Sequence, residues 1–438
     1  MKKKELTGWR FSLTVTLYRY DNILFLTQRS IIIGWISYKI KVEELYNINP
    51  KQVLIAGGGY AGIQVALMLE SLLKGSDTII SLIDKKAYHT LLPSLPEIIS
   101  KRGFSIIDYR DIIQDKRIEF IQATITNIDL SKKLIDITDL QNNHSSLKYD
   151  FLAISLGSQP FLPNIEGLEE YALLFNTIQD AQRIAERISD PGLSGNIVIA
   201  GGGATGVELA GEIASVIRQL RSNTKSGDVN IILVSSHILS GFPDSAVRLV
   251  KAYLGSLGVK LLVCSDCYVS EVKPNVIYLK NEAHVTYTMF IWTGGVSASS
   301  LLKKTGLKIG EKGRVVVNKY LQAEGMHDVF VVGDSALVLD SKGKALPTNA
   351  YFAEQHGLIA AQNIYVLLNG EEKKLREYRP EEAGTTFAIS MGKDFAVSRV
   401  GGLDLFGYSA SKLKKLIKMK YLKDIAGSSL AAKEFYKF

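Results

Sequence analysis

Apolar and polar positions along the chain follow one sequence of periods twice. Residues 52–56 read as a buried strand, and after a glycine turn Ala61, Val65, Met68, Leu69 and Leu72 recur at helical spacing. A second apolar run over residues 78–83 stops at Asp84. The order returns as an apolar run over 196–200, a turn, a helical repeat from Val207, and a further run over 230–234. Short strands are expected over 118–121 and 134–138, further strands over 259–263 and 276–279, and buried ones over 151–156, 289–292 and 328–332. Helical spacing covers 176–188 and 349–368, and strand-like runs cover 386–400. Strands alternating with helices predict an α/β chain with parallel sheets.

The two turns carry candidate chemistry. The first is Gly57-Gly58-Gly59-Tyr60-Ala61-Gly62. Gly57 permits the tight turn, Gly59 lets backbone approach a pyrophosphate, and Gly62 lets the helix lie on the strand. The helix start offers N–H groups and partial positive charge to phosphates. Asp84, twenty-two residues beyond Gly62, is placed to accept ribose hydroxyls. The second turn, with Gly201, Gly203 and Gly206, begins 144 residues after the first. Its strand ends in Ser235-Ser236-His237, where an NAD-preferring site would place Asp or Glu, and no Arg stands beside it. The pattern predicts two Rossmann-like dinucleotide-binding domains and leaves the second cofactor open between NADH and NADPH.

Length and charge narrow the class. A chain of 438 residues suggests two or three domains. Of the net charge of +8, residues 1–50 carry +4 and residues 401–438 carry +5, so the body is near neutral. Basic ends on a neutral body speak against nucleic acid and suit an anionic membrane surface. No apolar run is long enough to span a membrane. Residues 1–50 make a poor signal peptide; they are either an amphipathic extension or precede a later start near Val42 or Leu45. Only Cys264 and Cys267 occur, which excludes a disulfide-rich scaffold and fits a reducing cytoplasm. With no second cysteine pair they read as structural rather than metal-binding. His89, His144, His237 and His284 lack ligand spacing and read as ordinary polar residues, so no metal site is expected. Residues 412–425 hold six lysines, with Leu413, Leu416, Ile417, Tyr421 and Ile425 at helical spacing, a basic amphipathic helix suited to a membrane interface.

With Val53 to Gly62, Asp84, Leu152 to Gly157, Gly201 to Glu208 and Val329 to Asp334 in view, the chain resembles the two-dinucleotide flavoproteins. That resemblance implies FAD on the first unit and NAD(P)H on the second. It places Gly157 and Gly333 at the flavin and Asp334 on its ribityl chain. The NAD(P)H domain (161–319) is then inserted in a discontinuous FAD domain (51–160 and 320–380), with residues 381–438 a C-terminal membrane-associating region. The details are most similar to the type II NADH:quinone dehydrogenases. Gly201-Gly202-Gly203-Ala204-Thr205-Gly206-Val207-Glu208 follows their second motif, which implies Glu208 near the nicotinamide. Trp292-Thr293-Gly294-Gly295 matches their loop beneath it, with Gly294 and Gly295 allowing close approach. Their quinone motif Ala-Gln-x-Ala-x-Gln-Gln-Gly stands here as Ala350-Tyr351-Phe352-Ala353-Glu354-Gln355-His356-Gly357. Gln355 matches, while Tyr351 and His356 replace two glutamines but can still hydrogen-bond a carbonyl.

The resemblance implies hydride transfer from NAD(P)H to FAD, then two electrons to a membrane quinone without proton pumping. It implies a peripheral protein on the cytoplasmic face of the cell membrane, with a homodimer open. Other readings stand beside it. One is a sulfide:quinone oxidoreductase or another flavin reductase with a different donor or acceptor; the former would need cysteines flanking the flavin, and residues 90–100 hold none. A redox sensor would bind both dinucleotides without turnover.

Overall fold

The computed structural model describes residues 50–101, 106–223, 228–380 and 386–435, together with two short strands nearer the start. Those two, Tyr18–Tyr20 and Ile23–Phe25, pair antiparallel in a unit of their own. The other expectations for residues 1–50 lie outside the described residues.

From residue 51 the chain forms strand β1 (Gln52–Ala56), helix α1 (Tyr60–Leu72), β2 (Ile79–Asp84), β3 (Ile118–Asp129), β4 (Leu134–Asp139), β5 (His144–Lys148) and β6 (Phe151–Ile154). It continues through β7 (Leu173–Leu174), α2 (Ile178–Ile188), β8 (Gly195–Ala200), α3 (Ala204–Asn223), β9 (Val229–Ser235), α4 (Asp244–Ser256), β10 (Val259–Val263) and β11 (Met289–Trp292). Then come β12 (Val329–Val331), α5 (Ala350–Leu368), an antiparallel sheet of Phe387–Ser390, Ala396–Val400 and Leu403–Gly407, and the last helix, α6 (Tyr408–Phe435).

Two sheets organise these elements. The first runs β12-β6-β1-β2-β3-β4-β5 and the second β7-β11-β8-β9-β10. All neighbours in the second are parallel, as are those from β12 to β3 in the first. Parallel strands covered on both faces need continuous apolar runs, and Val53, Ile55, Ile199 and Leu233 are wholly buried. The chain leaves the first sheet at Ile154, builds the second, and rejoins the first at Val329, where Leu152 pairs with Val329.

Local chemistry fixes the helix ends that matter. Thr177 and Asp180 form a reciprocal capping box at α2, and Asn349 caps α5 by accepting the Phe352 N–H. Helix α5 lies tightly on α1 because Gly357 has no side chain: a Cβ there would sit 2.4 Å from the Ala61 carbonyl oxygen.

Helix α6 differs from the expected amphipathic rod. Tyr421, Leu422 and Ile425 are buried in the first core, yet Leu416 and Ile417 are 60 % and 45 % exposed. Lys414 and Lys418 turn inward, toward Glu208 and Glu97. The apolar stripe divides because one end of the helix covers the protein and the other faces out beside Leu403, Phe406 and Tyr408, all exposed. The helix also breaks at Gly427, whose φ is +84°. Among the described residues no helix is long and apolar enough to cross a membrane.

Candidate functional site

At the first turn, Gly57 has φ +106°, and a Cβ on it would lie 2.2 Å from the Ser155 carbonyl oxygen. A Cβ on Gly62 would lie 2.0 Å from the Gly57 carbonyl oxygen. Gly59 differs: a Cβ there meets nothing within 4 Å. Two of the glycines are thus required by the protein's own packing, and the third borders open space. The second turn repeats this, with Gly201 (φ +126°) against Thr293, Gly206 against the Gly201 carbonyl, and Gly203 facing nothing within 4 Å. The two cradles therefore fit the groups that the turns imply.

Beyond each turn the next strand braces the middle glycine. Asp84 accepts the Gly58 N–H at 2.8 Å with one oxygen and the Lys86 N–H at 2.9 Å with the other. Ser235 Oγ accepts the Gly202 N–H at 2.9 Å from the matching position and donates to the His237 carbonyl. The Gly58 carbonyl is held by the Tyr109 hydroxyl at 2.7 Å and contacted by His89 Nδ1 at 3.2 Å. His89 is buried, which pushes its pKa down to about 4, and its Nε2 meets the Tyr421 hydroxyl on α6 at 2.9 Å. It is a brace of the first turn, a role its isolated position in the sequence does not signal.

Asp334 lies on a short turn opened by Gly333 (φ +62°), and Ser158 donates to its carboxylate at 2.7 Å. Burial raises the Asp334 pKa, opposed by the Ser158 hydrogen bond and the charge of Arg314. Gly157, with φ +67°, takes the Ser335 hydroxyl on its carbonyl, which ties the end of β6 to this turn. A cavity beside Asp334 is also lined by Arg314, Asn349, Phe352 and His356. Arg314 Nε and both ring nitrogens of His356 are buried there without a protein partner.

Within the stretch 351–356, Tyr351, Gln355 and His356 do not all share one face of α5. His356 points inward, edge-on to Tyr378, and burial pushes its pKa down to about 3, so the ring is neutral. The Gln355 side-chain oxygen accepts the Tyr378 hydroxyl at 3.0 Å. Tyr351 is half-buried and packs edge-on to Phe352. The helical turn explains the split: successive residues point about 100° apart, so adjacent Gln355 and His356 diverge. Glu354, unmatched in the motif, is largely buried, and its pKa is pushed up to about 7 against the opposing charge of Lys420.

Glu208 is buried on α3. Its Oε1 accepts from Lys414 Nζ at 2.5 Å and from the Ser390 N–H at 2.9 Å, and Lys414 also donates to Ser390 Oγ at 2.8 Å. Burial pulls the Lys414 pKa down, but Glu208 and the more remote Glu97 and Glu212 outweigh it and leave it raised. Above the second turn, Gly295 has φ +105° and Gly294 packs beneath the Trp292 ring, whose N–H donates to the Phe161 carbonyl at 2.9 Å. The paired cysteines sit apart from both turns, at the end of β10, joined to each other as a disulfide. No cluster suited to a metal occurs among the described residues.

Comparison with known proteins agrees with this arrangement. Residues 51–357 match the pyridine nucleotide-disulphide oxidoreductase family. A type II NADH:quinone oxidoreductase of Staphylococcus haemolyticus is 30% identical over 88% of this chain and 98% of its own length. The protein of that name from Staphylococcus aureus is 28% identical over the same shares. Among solved structures, NDH2 from Plasmodium falciparum in complex with NADH superposes with a TM-score of 0.75 at 19% identity, covering 89% of this chain and 98% of that one. The sulfide:quinone oxidoreductase of Aquifex aeolicus gives 0.72 at 19% identity over 86% and 92%, so the fold alone does not separate the two chemistries. The similarity along nearly the full length of named relatives does separate them: the chain belongs to the type II NADH:quinone oxidoreductases of the pyridine nucleotide-disulphide oxidoreductase family.

Proposed function

We propose that the chain oxidises NADH and reduces a membrane quinone by way of FAD. When bound, FAD accepts a hydride from the nicotinamide and returns two electrons to the quinone. The observation that carries the reading is the duplicated reserve of space at Gly59 and Gly203, each beside glycines that the protein's own packing demands.

In this reading Gly57, Gly59, Gly62 and Asp84 hold the FAD adenosine and pyrophosphate, while Gly157, Gly333 and Asp334 close the site from the far end of the sheet. Gly201, Gly203 and Gly206 hold the NADH pyrophosphate, and Gly294 and Gly295 leave the nicotinamide room. These assignments divide the chain into an FAD domain (51–160 and 320–380) and an NADH domain (161–319). Glu208 holds or passes a proton at its carboxylate, with Lys414 and Ser390 fixing its orientation. Tyr351 and Gln355 border the quinone, and His356 lines the Asp334 cavity. Both sites are built within one copy of the chain, so neither requires a homodimer.

The outer end of α6 supplies the membrane contact. Leu403, Phe406, Tyr408, Leu416 and Ile417 are exposed apolar side chains on or just before the first half of α6, and Lys412, Lys420 and Lys423 are exposed along the same helix. An apolar surface accompanied by lysines suits the interface of an anionic leaflet, on the cytoplasmic face, without a spanning helix.

Anaerobic reduction tests the reading. NADH should bleach the bound flavin within the dead time of manual mixing, sulfide should not, and added quinone should restore the colour. Bleaching by sulfide alone, or a persistent NADH complex that quinone does not discharge, overturns it.

A further inference from the structure

The molecule carries its own control for the adenosine end of the second site. Asp84 and Ser235 occupy equivalent places, each at the end of the second strand of its unit, and each accepts the N–H of the middle glycine, Gly58 or Gly202. In the first unit that group is a carboxylate with two oxygens and a full negative charge. In the second it is a neutral hydroxyl whose proton is committed to the His237 carbonyl. The carboxylate therefore has a structural duty that serine can perform and an electrostatic one that it cannot. A carboxylate here accepts the ribose 2′-hydroxyl and repels a 2′-phosphate; serine keeps the turn and removes the repulsion.

The surroundings do not restore the lost charge. The loop from Ser236 to Pro243 contains no Asp or Glu, and it offers the Ser236 hydroxyl and an exposed imidazole at His237. Lys344 brings a cation onto this loop, with its ammonium 3.0 Å from the point where a Cβ on Gly241 would sit. We infer that the second site admits a 2′-phosphate on the adenosine ribose, so that the chain uses NADPH as well as NADH, with Ser235 as the residue that sets the choice. The step is the one already described, a hydride leaving the nicotinamide for the flavin, with only the distal phosphate added. This inference rests on the proposed donor site, but its adenosine end can be tested without hydride transfer.

The test uses the FAD-loaded full chain, its Ser235→Asp and Ser235→Ala variants, and two sets of ligands. In binding, 2′,5′-ADP should bind the wild type within about tenfold of 5′-AMP. A lost or gained hydrogen bond to a charged group amounts to roughly one to two orders of magnitude, so Ser235→Asp should weaken 2′,5′-ADP by about 10–100-fold relative to 5′-AMP. Ser235→Ala, which adds no charge, should leave the ratio within about threefold. In turnover, NADPH should reduce the flavin with kcat/KM within about tenfold of NADH, and Ser235→Asp should shift that ratio by the factor seen in binding. Flavin content and thermal midpoint identify a variant that has failed to fold, and the wild-type ratio decides the inference even then. A wild-type preference for 5′-AMP and NADH above about 100-fold overturns it. Binding of 2′,5′-ADP as predicted, with neither nucleotide reducing the flavin, would support the phosphate site while overturning the proposed reaction.

Discussion

The contact between Lys414 and Glu208 joins the last helix to the second nucleotide unit, and it can be tested energetically. Both side chains are nearly dry, 15 % and 10 % exposed, and the ammonium also reaches Ser390 Oγ. Removing one partner of a buried pair costs about 3–5 kcal/mol, because the other charge is left unpaired. Here the Ser390 N–H still serves the carboxylate, which places Lys414→Met at the lower end, about 3 kcal/mol. Glu208→Gln keeps an acceptor oxygen for the ammonium but removes its compensating charge, and should cost a similar amount. The double variant should cost clearly less than the sum, with a coupling energy of about 2–3 kcal/mol. Urea unfolding at saturating FAD, followed by tryptophan fluorescence, measures the cycle. The pH dependence is a second constraint. The folded pKa of Lys414 is raised, so its stabilisation is complete below the ordinary lysine value and is lost only as pH rises through the folded value. The coupling should therefore be equal at pH 6.5 and 8.5. A coupling below about 0.5 kcal/mol, or one that fades between those pH values, would refute the picture of a dry pair.

Gly59→Ala should fold with unchanged apoprotein stability yet lose FAD, because its Cβ enters space that the protein leaves open, whereas Gly62→Ala should cost about 3 kcal/mol even without FAD; flavin content and apoprotein melting separate the two. Glu354, with its pKa raised to about 7, contributes stability that is present below its unfolded value and lost as pH rises through 7. Glu354→Gln should thus gain on the wild type between pH 5 and 8, up to about 3 kcal/mol, and a thermal-shift series that runs flat or opposite would refute this. Reducing the Cys264–Cys267 disulfide opens a very short loop and should cost about 2 kcal/mol with no change in flavin spectrum or NADH turnover; a lost activity would place the pair in the chemistry.

Much of the fold was legible because parallel strands advertise themselves. The apolar runs at 53–56, 151–154 and 197–200 are continuous, and the glycines after the first and third have few alternatives. The return of the chain at Val329 followed from resemblance, since nothing local announces that a three-residue strand pairs with one some 175 residues earlier. The side chains that brace the turns from elsewhere in the chain were the least legible. His89, Tyr109, Ser155 and Arg314 act on the turns from unrelated elements, and only folding brings Ser155 Oγ to 3.0 Å from the Gly57 carbonyl. That two lysines of α6, Lys414 and Lys418, turn inward is hidden for a similar reason. Helical periodicity locates a face but not the neighbour that meets it, and Glu208 and Glu97 lie hundreds of residues away.

The His89–Tyr421 contact also bears on how the protein is made. The first turn is translated early, yet the residues that brace it arrive in stages, first Tyr109, then Ser155, and last Tyr421. At about 5–20 residues per second, the interval between Gly58 and Tyr421 is on the order of 20–70 seconds. Until Val331 is made β6 has no β12 beside it, and until Tyr421 is made the Tyr60–His89 pair lacks the stacked Tyr421 ring. The first turn is therefore fully braced only once the last helix is made, and that helix also bears exposed Leu416 and Ile417. The bracing of the first turn and the display of those apolar side chains are set by the same few turns of chain.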